Sequence, residues 1–387
     1  MEHIAIIGGG PAGAFCGERL ARGGARVTLF DKRGAWEKPC GGGLTPKAVE
    51  AYPFLLQVPH PKKQVSDVEL IADEGPRARL HLGKPIVIYA REVLNRMLLE
   101  RAMAAGCRMV QANISQLDFN GRVRLLGPAV DETADFAVVA AGARNPLAPN
   151  GERLSPNDLE LTVGYFLPLE ENLMRIQFVR DFAGYLWSFP RLDHLSVGIC
   201  GKMLANTAAS LRAKLDRFLK QEGLDFRQRK LYSHVLPSPQ ASTLRQRRLV
   251  GHRWALIGDA AGWVDPVTGE GLYYALRSAD LLAQSLMAGD AEGYPRRLLE
   301  DFGRDLIAGA EMAHRFFFGH FLGRSVTTRM IQFTRRSANF RKLMEDLFSG
   351  TLGYRALKRR LWSSLLLNLA EMTASFLVAS AARFGVR

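Results

Sequence analysis

Ile4-Ala5-Ile6-Ile7-Gly8-Gly9-Gly10-Pro11-Ala12-Gly13, near the amino terminus of a 387-residue chain, is the stretch on which the fold turns. A short continuous apolar run is the pattern of a central parallel strand buried on both faces. It breaks into glycines, and a helix is predicted from there to about Arg22. A second strand, Arg26-Val27-Thr28-Leu29-Phe30, ends at Asp31. In such a unit Gly8 allows the tight turn, Gly10 lets backbone approach a pyrophosphate, and Gly13 permits close helix–strand packing. The helix start, with Pro11 and Ala12, presents free N–H groups and a positive dipole to phosphate. Asp31, with Lys32 beside it, stands where a carboxylate can accept ribose hydroxyls. A lone glycine triplet is weak evidence; strand, glycines, helix, strand and acid in this order are strong.

NAD and FAD both use this unit, and a distant segment separates them. Trp254-Ala255-Leu256-Ile257-Gly258 reads as a strand ending in Asp259-Ala260-Ala261-Gly262, and a helix is predicted from Gly269-Glu270-Gly271 to about Ala288. Asp259 at a strand end, facing the first glycine loop, can bond ribityl hydroxyls. The N–H groups near Gly269, Gly271 and Leu272 can meet the pyrimidine edge of a flavin and stabilise negative charge there. A nicotinamide has no matching need, so FAD is the expected cofactor.

The composition bounds the rest. The chain is long enough for two or three structural units, and 47% apolar with 23% charged residues is globular rather than disordered. Ile4 to Ile7 begins too early for a secretory signal to precede it, and Cys16, Cys40, Cys107 and Cys200 are scattered without metal-ligand spacing. A reducing cytoplasm, no disulfide framework and no metal are expected. The net charge of +14 is concentrated between residues 315 and 360, where eleven Lys/Arg face only Glu345 and Asp346 among seven phenylalanines. Residues 361–382, LWSSLLLNLAEMTASFLVASAA, then form an apolar stretch broken by Asn368 and Glu371. This pattern suits either a solvated face over a core or a peripheral contact with an anionic membrane surface on its inner side. Nucleic acid is not expected, since no stacking platform accompanies the charge.

Here a resemblance becomes specific. LIGDAAGWVDPVTGEGLYYAL resembles the second FAD motif of the aromatic-hydroxylase-like flavoproteins, which places Asp259, Pro266, Gly269 and Gly271 at the cofactor. Val138-Val139-Ala140-Ala141-Gly142-Ala143 resembles the strand and turn between the motifs. Tyr89-Ala90-Arg91, with Leu94 and Leu98, resembles the element whose arginine reaches the cofactor. Lys38-Pro39-Cys40-Gly41-Gly42-Gly43-Leu44 is similar to the P-C-G-G-G-L signature of the geranylgeranyl reductase family. Tyr185-Leu186-Trp187-Ser188-Phe189-Pro190, followed by Ser196-Val197-Gly198, is similar to that family's Y-x-W-x-F-P strand pair.

The resemblance implies an FAD-dependent reductase that saturates isolated double bonds of an isoprenoid lipid. It implies Tyr185, Trp187 and Phe189 on an apolar wall, with Cys40, Gly41 and Gly42 beside the flavin. Cys40 is then a candidate for proton delivery or gating. Flavin halogenases resemble the same superfamily but carry W-x-W-x-I-P where this chain has Tyr185 and Phe189. A monooxygenase or halogenase remains the alternative. No second glycine fingerprint is present, so electrons are expected from transient NAD(P)H or from ferredoxin.

The expected fold is α/β. Residues 1–55, 85–150 and 250–295 form a Rossmann-type FAD-binding domain with helices on both faces. Residues 56–84 and 151–249 form an antiparallel substrate domain, and residues 296–387 a helical region.

Overall fold

In the computed structural model, which describes residues 3–73, 75–321 and 323–363, two sheets meet across a cavity. The six-stranded sheet has the order Val250–Gly251, Trp254–Leu256, Phe136–Val139, His3–Ile7, Arg26–Phe30, Arg108–Val110. All of its pairings are parallel except that of the short edge strand Val250–Gly251. Every residue of His3–Ile7 is buried, as a strand covered on both faces must be. The helix Pro11–Arg22 packs against both Arg91–Ala104 and Leu272–Met287. Buried Glu18 ties it to the first of these, accepting hydrogen bonds from Arg101 Nε at 2.9 Å and Nη2 at 2.5 Å.

Helices do not occupy both faces as expected. Between Arg108–Val110 and Phe136–Val139 the chain builds a three-stranded antiparallel sheet, Gln116–Asp118, Val123–Gly127 and Val130–Ala134. Its residues alternate, with Val123 and Leu125 buried and Arg124 exposed between them. That period of two belongs to strands, not helices.

The eight-stranded sheet has the order Lys230–Pro237, Leu159–Leu167, Leu195–Lys202, Gly184–Pro190, Met174–Phe178, Lys63–Ala72, Arg77–Ile88, Gly43–Leu44. It is antiparallel apart from the pairing of Met174–Phe178 with Lys63–Ala72. One of its faces carries Val163, Tyr165, Leu186, Val197 and Ile199, packed with Leu211, Leu215, Phe218 and Leu219 from the helix Ala208–Gln221. Full burial of such a side chain contributes about 1.5–3 kcal/mol. Thr207 starts that helix by accepting the N–H of Ser210 at 3.1 Å. The other face carries Tyr185, Trp187 and Phe189 and lines the cavity. Strand membership departs from the expected division at two places. Gly43–Leu44 and the end of Arg77–Ile88 pair in this second sheet, because Gly43 stands opposite Ile88.

The helices Arg304–Phe318, Val326–Arg336, Ala338–Phe348 and Tyr354–Ser363 close one end of the cavity with Leu347, Phe348, Leu352 and Tyr354. Among the described residues no helix is long and apolar enough to cross a membrane. Most of the apolar stretch 361–382, from residue 364 on, lies outside the described residues.

The glycine turn shows why the first helix starts where it does. A Cβ on Gly13 would lie 1.8 Å from the Gly8 carbonyl oxygen, and one on Gly8 (φ +109°) 2.3 Å from the Ala140 oxygen. Both obstacles are backbone and cannot rotate away. Gly13→Ala is therefore expected to destabilise the protein by at least about 1–3 kcal/mol, read as a lower Tm in the absence of added cofactor. An unchanged Tm would show that the strand and helix can separate at no cost.

Candidate active site

One cavity of about 640 Å³ runs from the glycine loop to the aromatic strand. Gly8, Gly10, Pro11, Ala12, Asp31, Lys32, Cys40, Gly41, Gly42, Arg91, Ala141, Gly142, Asp259, Gly269, Gly271 and Leu272 all line it, as do Tyr185, Trp187 and Phe189. Gly13 and Pro266 do not. Gly13 spends its missing side chain against Gly8, and Pro266 packs outward, 2.9 Å from where a Cβ of Gly309 would stand.

At the first end, Gly10 faces open space, with nothing within 4 Å of a Cβ placed on it. It precedes the helix Pro11–Arg22, whose first N–H groups have no intrahelical acceptor. Asp31 shapes the loop besides facing the cavity. Its carboxylate accepts from Gly9 N at 2.7 Å and from Arg33 N and Gly34 N at 2.8 Å. A carboxylate has about four acceptor positions, so capacity remains for a ribose. Arg33 stacks on Trp36 at 4.4 Å.

The middle of the cavity is held by charge. Lys38 Nζ bonds Asp259 Oδ2 at 2.8 Å across 221 residues of sequence. Burial alone would push the Asp259 carboxyl up; Lys38, with Arg91, outweighs it and keeps it below its ordinary value. His234, whose ring meets Trp36 edge-on, is driven down to about 3 by burial and by Lys38, and is therefore neutral. Arg91 is 3% exposed; its Nη2 donates to Asn95 at 3.3 Å, and its Nε is buried without a protein partner. An unpaired guanidinium N–H on the wall of a cavity is suited to an acceptor arriving with a ligand.

The third part is the Cys40 loop. Arg191 Nη2 and Ser196 Oγ donate to the Cys40 carbonyl at 2.8 and 3.1 Å, pinning the loop to the second sheet. Burial raises the Cys40 thiol, but Arg91, the Gly42 N–H and Arg191 more than offset this and hold it below its ordinary value. Two of the loop's glycines serve the protein's own packing. A Cβ on Gly41 would sit 2.4 Å from the Phe189 ring, and one on Gly42 (φ +81°) 2.2 Å from the Tyr89 oxygen.

Each wall aromatic sits against a glycine. Trp187 lies over Gly198, Phe189 against Gly41, and Tyr185 OH lies 2.5 Å from a Cβ position on Gly269. Tyr185 OH also donates to the Thr268 carbonyl at 2.5 Å. These contacts fix three large rings on one face of the sheet, along the cavity.

Sequence reasoning missed Lys38, His234, Arg191 and Glu270 as site residues. Glu270 stands between two glycines at the start of the helix Leu272–Met287. Its carboxylate oxygen accepts from Thr45 Oγ1 at 2.8 Å, and burial and Asp265 push it up to about 7, against Thr45 and Lys47.

The residues present fit FAD: a glycine cradle open at Gly10, a carboxylate at Asp31, a second at Asp259 and the unpartnered Nε of Arg91. Comparison with known proteins agrees. Residues 2–165 match the model of the pyridine nucleotide-disulphide oxidoreductases. A geranylgeranyl diphosphate reductase from Synechocystis sp. is 29% identical over 330 residues, covering 75% of this chain and 76% of that one. A geranylgeranyl bacteriochlorophyll reductase-like structure from Thermoplasma acidophilum superposes with a TM-score of 0.76 at 18% identity, covering 97% of this chain and 100% of that one. A flavin-dependent brominase gives 0.72 at 17% identity, covering 95% and 100%. The fold is therefore common to both chemistries and does not choose between them.

Gly10→Ala contrasts with the Gly13 substitution. A methyl at Gly10 meets no protein atom, so the cofactor-free Tm should be unchanged. It would stand where phosphate must approach, and FAD is expected to dissociate roughly tenfold to a hundredfold more readily, about 1.4–2.8 kcal/mol. The ratio of flavin to protein absorbance after gel filtration measures this; full retention of flavin would move the pyrophosphate away from Gly10.

Proposed function

Because this chain is an FAD-dependent oxidoreductase with a geranylgeranyl diphosphate reductase among its relatives, we propose that it saturates isolated double bonds of an isoprenoid lipid. The observation that carries the reading is the continuity of one cavity from Gly10 to the aromatic face of Tyr185, Trp187 and Phe189. Reduced FAD, when bound, supplies hydride to the double bond. Gly8, Gly10, Asp31, Arg91 and Asp259 would hold it, with Gly269, Gly271 and Leu272 at the ring.

An unactivated alkene takes hydride poorly, so proton transfer to one alkene carbon must lead, and positive charge grows on the carbon that then receives hydride. The faces of Trp187 and Phe189 stabilise that developing charge, each by about 1–2 kcal/mol in a dry site. Ile86, Met174 and Ile176 extend the apolar wall and exclude water. Cys40 belongs to the same wall, and its lowered thiol suits gating or polarisation beside Arg91 better than proton donation. The electron donor in this reading is transient NAD(P)H or ferredoxin.

The lipid would be met at the membrane. Phe318 and Phe321 are each 39% exposed, beside exposed Arg315 and Arg324. Apolar rings among cations suit a peripheral contact with the anionic inner face of a membrane, reached from the cytoplasm.

The test is an anaerobic single turnover of photoreduced, FAD-loaded protein with a polyprenyl lipid. Flavin should reoxidise without oxygen while the lipid gains two hydrogens per flavin, and Trp187→Ala should slow that step about tenfold. Flavin that stays reduced until oxygen is admitted would identify a monooxygenase or halogenase instead. Product formed with no net flavin oxidation would identify a redox-neutral isomerase.

A further inference from the structure

Reducing an alkene needs a proton as well as a hydride, and the cavity holds a carboxyl group that the roles above leave unused. Glu270 stands between Gly269 and Gly271, ahead of the helix Leu272–Met287, and lines the same cavity as Cys40 and Trp187. Its neighbour Gly269 touches the wall through Tyr185. Its carboxylate oxygen is bonded by Thr45 Oγ1, two residues past Gly43 of the Cys40 loop. The Thr45–Glu270 bond thus ties the 269–271 turn to the segment that follows the Cys40 loop.

We propose that Glu270 is the proton source for this reaction, delivering its carboxyl proton to the alkene carbon that does not receive hydride. The proposal rests on the reductase reading. In the balanced step, hydride from reduced flavin forms one C–H bond. The π pair takes the Glu270 proton to form the second, leaving a carboxylate and oxidised flavin. Solvent reprotonates Glu270, and the external NAD(P)H or ferredoxin donor restores the flavin.

The surroundings suit the role. From its own loop Glu270 is faced by Asp265, and from the following helix by Tyr273 and Tyr274. Lys47, whose ammonium lies 4.2 Å over the Tyr273 ring, is the cation acting on it. Asp265 Oδ1 is itself bonded by Tyr354 OH at 2.5 Å, at the closed end of the cavity. Burial and the Asp265 charge hold the Glu270 carboxyl up to about 7, so it carries its proton below neutrality and loses it above. Cys40 is shifted the opposite way, toward the form with no proton to give.

Glu270→Gln keeps the acceptor for Thr45 and removes the proton. With FAD content equal by absorbance, the variant should saturate the lipid 10²–10⁴-fold more slowly. Its residual rate should be flat with pH, whereas the wild-type rate falls as pH rises through about 7. A second readout needs no cofactor: the infrared band of a protonated carboxyl in flavin-free protein should titrate in that range and be missing from the variant. An active wild type with an equally fast Gln variant, or a titrating band that survives the substitution, overturns the role of Glu270. A wild type that reduces no prenyl lipid overturns the reductase reading itself, and this proposal with it.

Discussion

Everything in this molecule is arranged around one steric constraint: the Gly8 carbonyl, the Gly13 Cα and the Ala140 carbonyl approach too closely for any side chain. Closing that contact brings the strand His3–Ile7, the helix Pro11–Arg22 and the turn after Phe136–Val139 to a single point. Main-chain bonds finish the job, Gly8 N to the Phe30 oxygen and Ala140 N to the Ile7 oxygen, both at 2.8 Å. The helix start that results points outward past Gly10 into the cavity. Without this contact the aromatic strand would face an unanchored space.

The second sheet supplies the chemistry but cannot place itself. Three long-range ties dock its cavity face on the nucleotide half. Arg191 and Ser196 hold the Cys40 carbonyl, and Tyr185 bonds the Thr268 carbonyl. Lys38 meets Asp259, joining the Cys40 loop to the second motif. Buried charges in such a place are costly unless paired, and the pairing is what keeps Asp259 ionised. The same low dielectric, with no cation bonded directly to it, is what holds the proton on Glu270.

How much of this could be read in the residues follows from range. The parallel strand, the glycine turn, Asp31 and the helix after Gly271 are local, each set by a few consecutive residues, and all were legible. Tyr185, Trp187 and Phe189 were legible as one face because a strand alternates. Lys38 with Asp259, His234 beside Trp36, and Arg191 under Cys40 were not, since nothing local announces a partner more than a hundred residues away. Glu270 was hidden by its glycines, whose turn geometry drew the attention. Pro266 lies outside the cavity lining, against Gly309, because a motif does not show which of its residues pack on a neighbouring helix. The three-stranded sheet was not legible because its alternation is short and charged.

The central claim is that the nucleotide anchor and the aromatic wall grip one cofactor, with the ring between the Cys40 loop and Trp187. A crystal structure of the FAD-loaded protein tests it most directly. The account predicts pyrophosphate density against Gly10 and the ring bordered by Cys40, Gly42 and Gly271, with Trp187 across an apolar gap. Ring density outside that gap, or Glu270 turned away from it, would contradict the account.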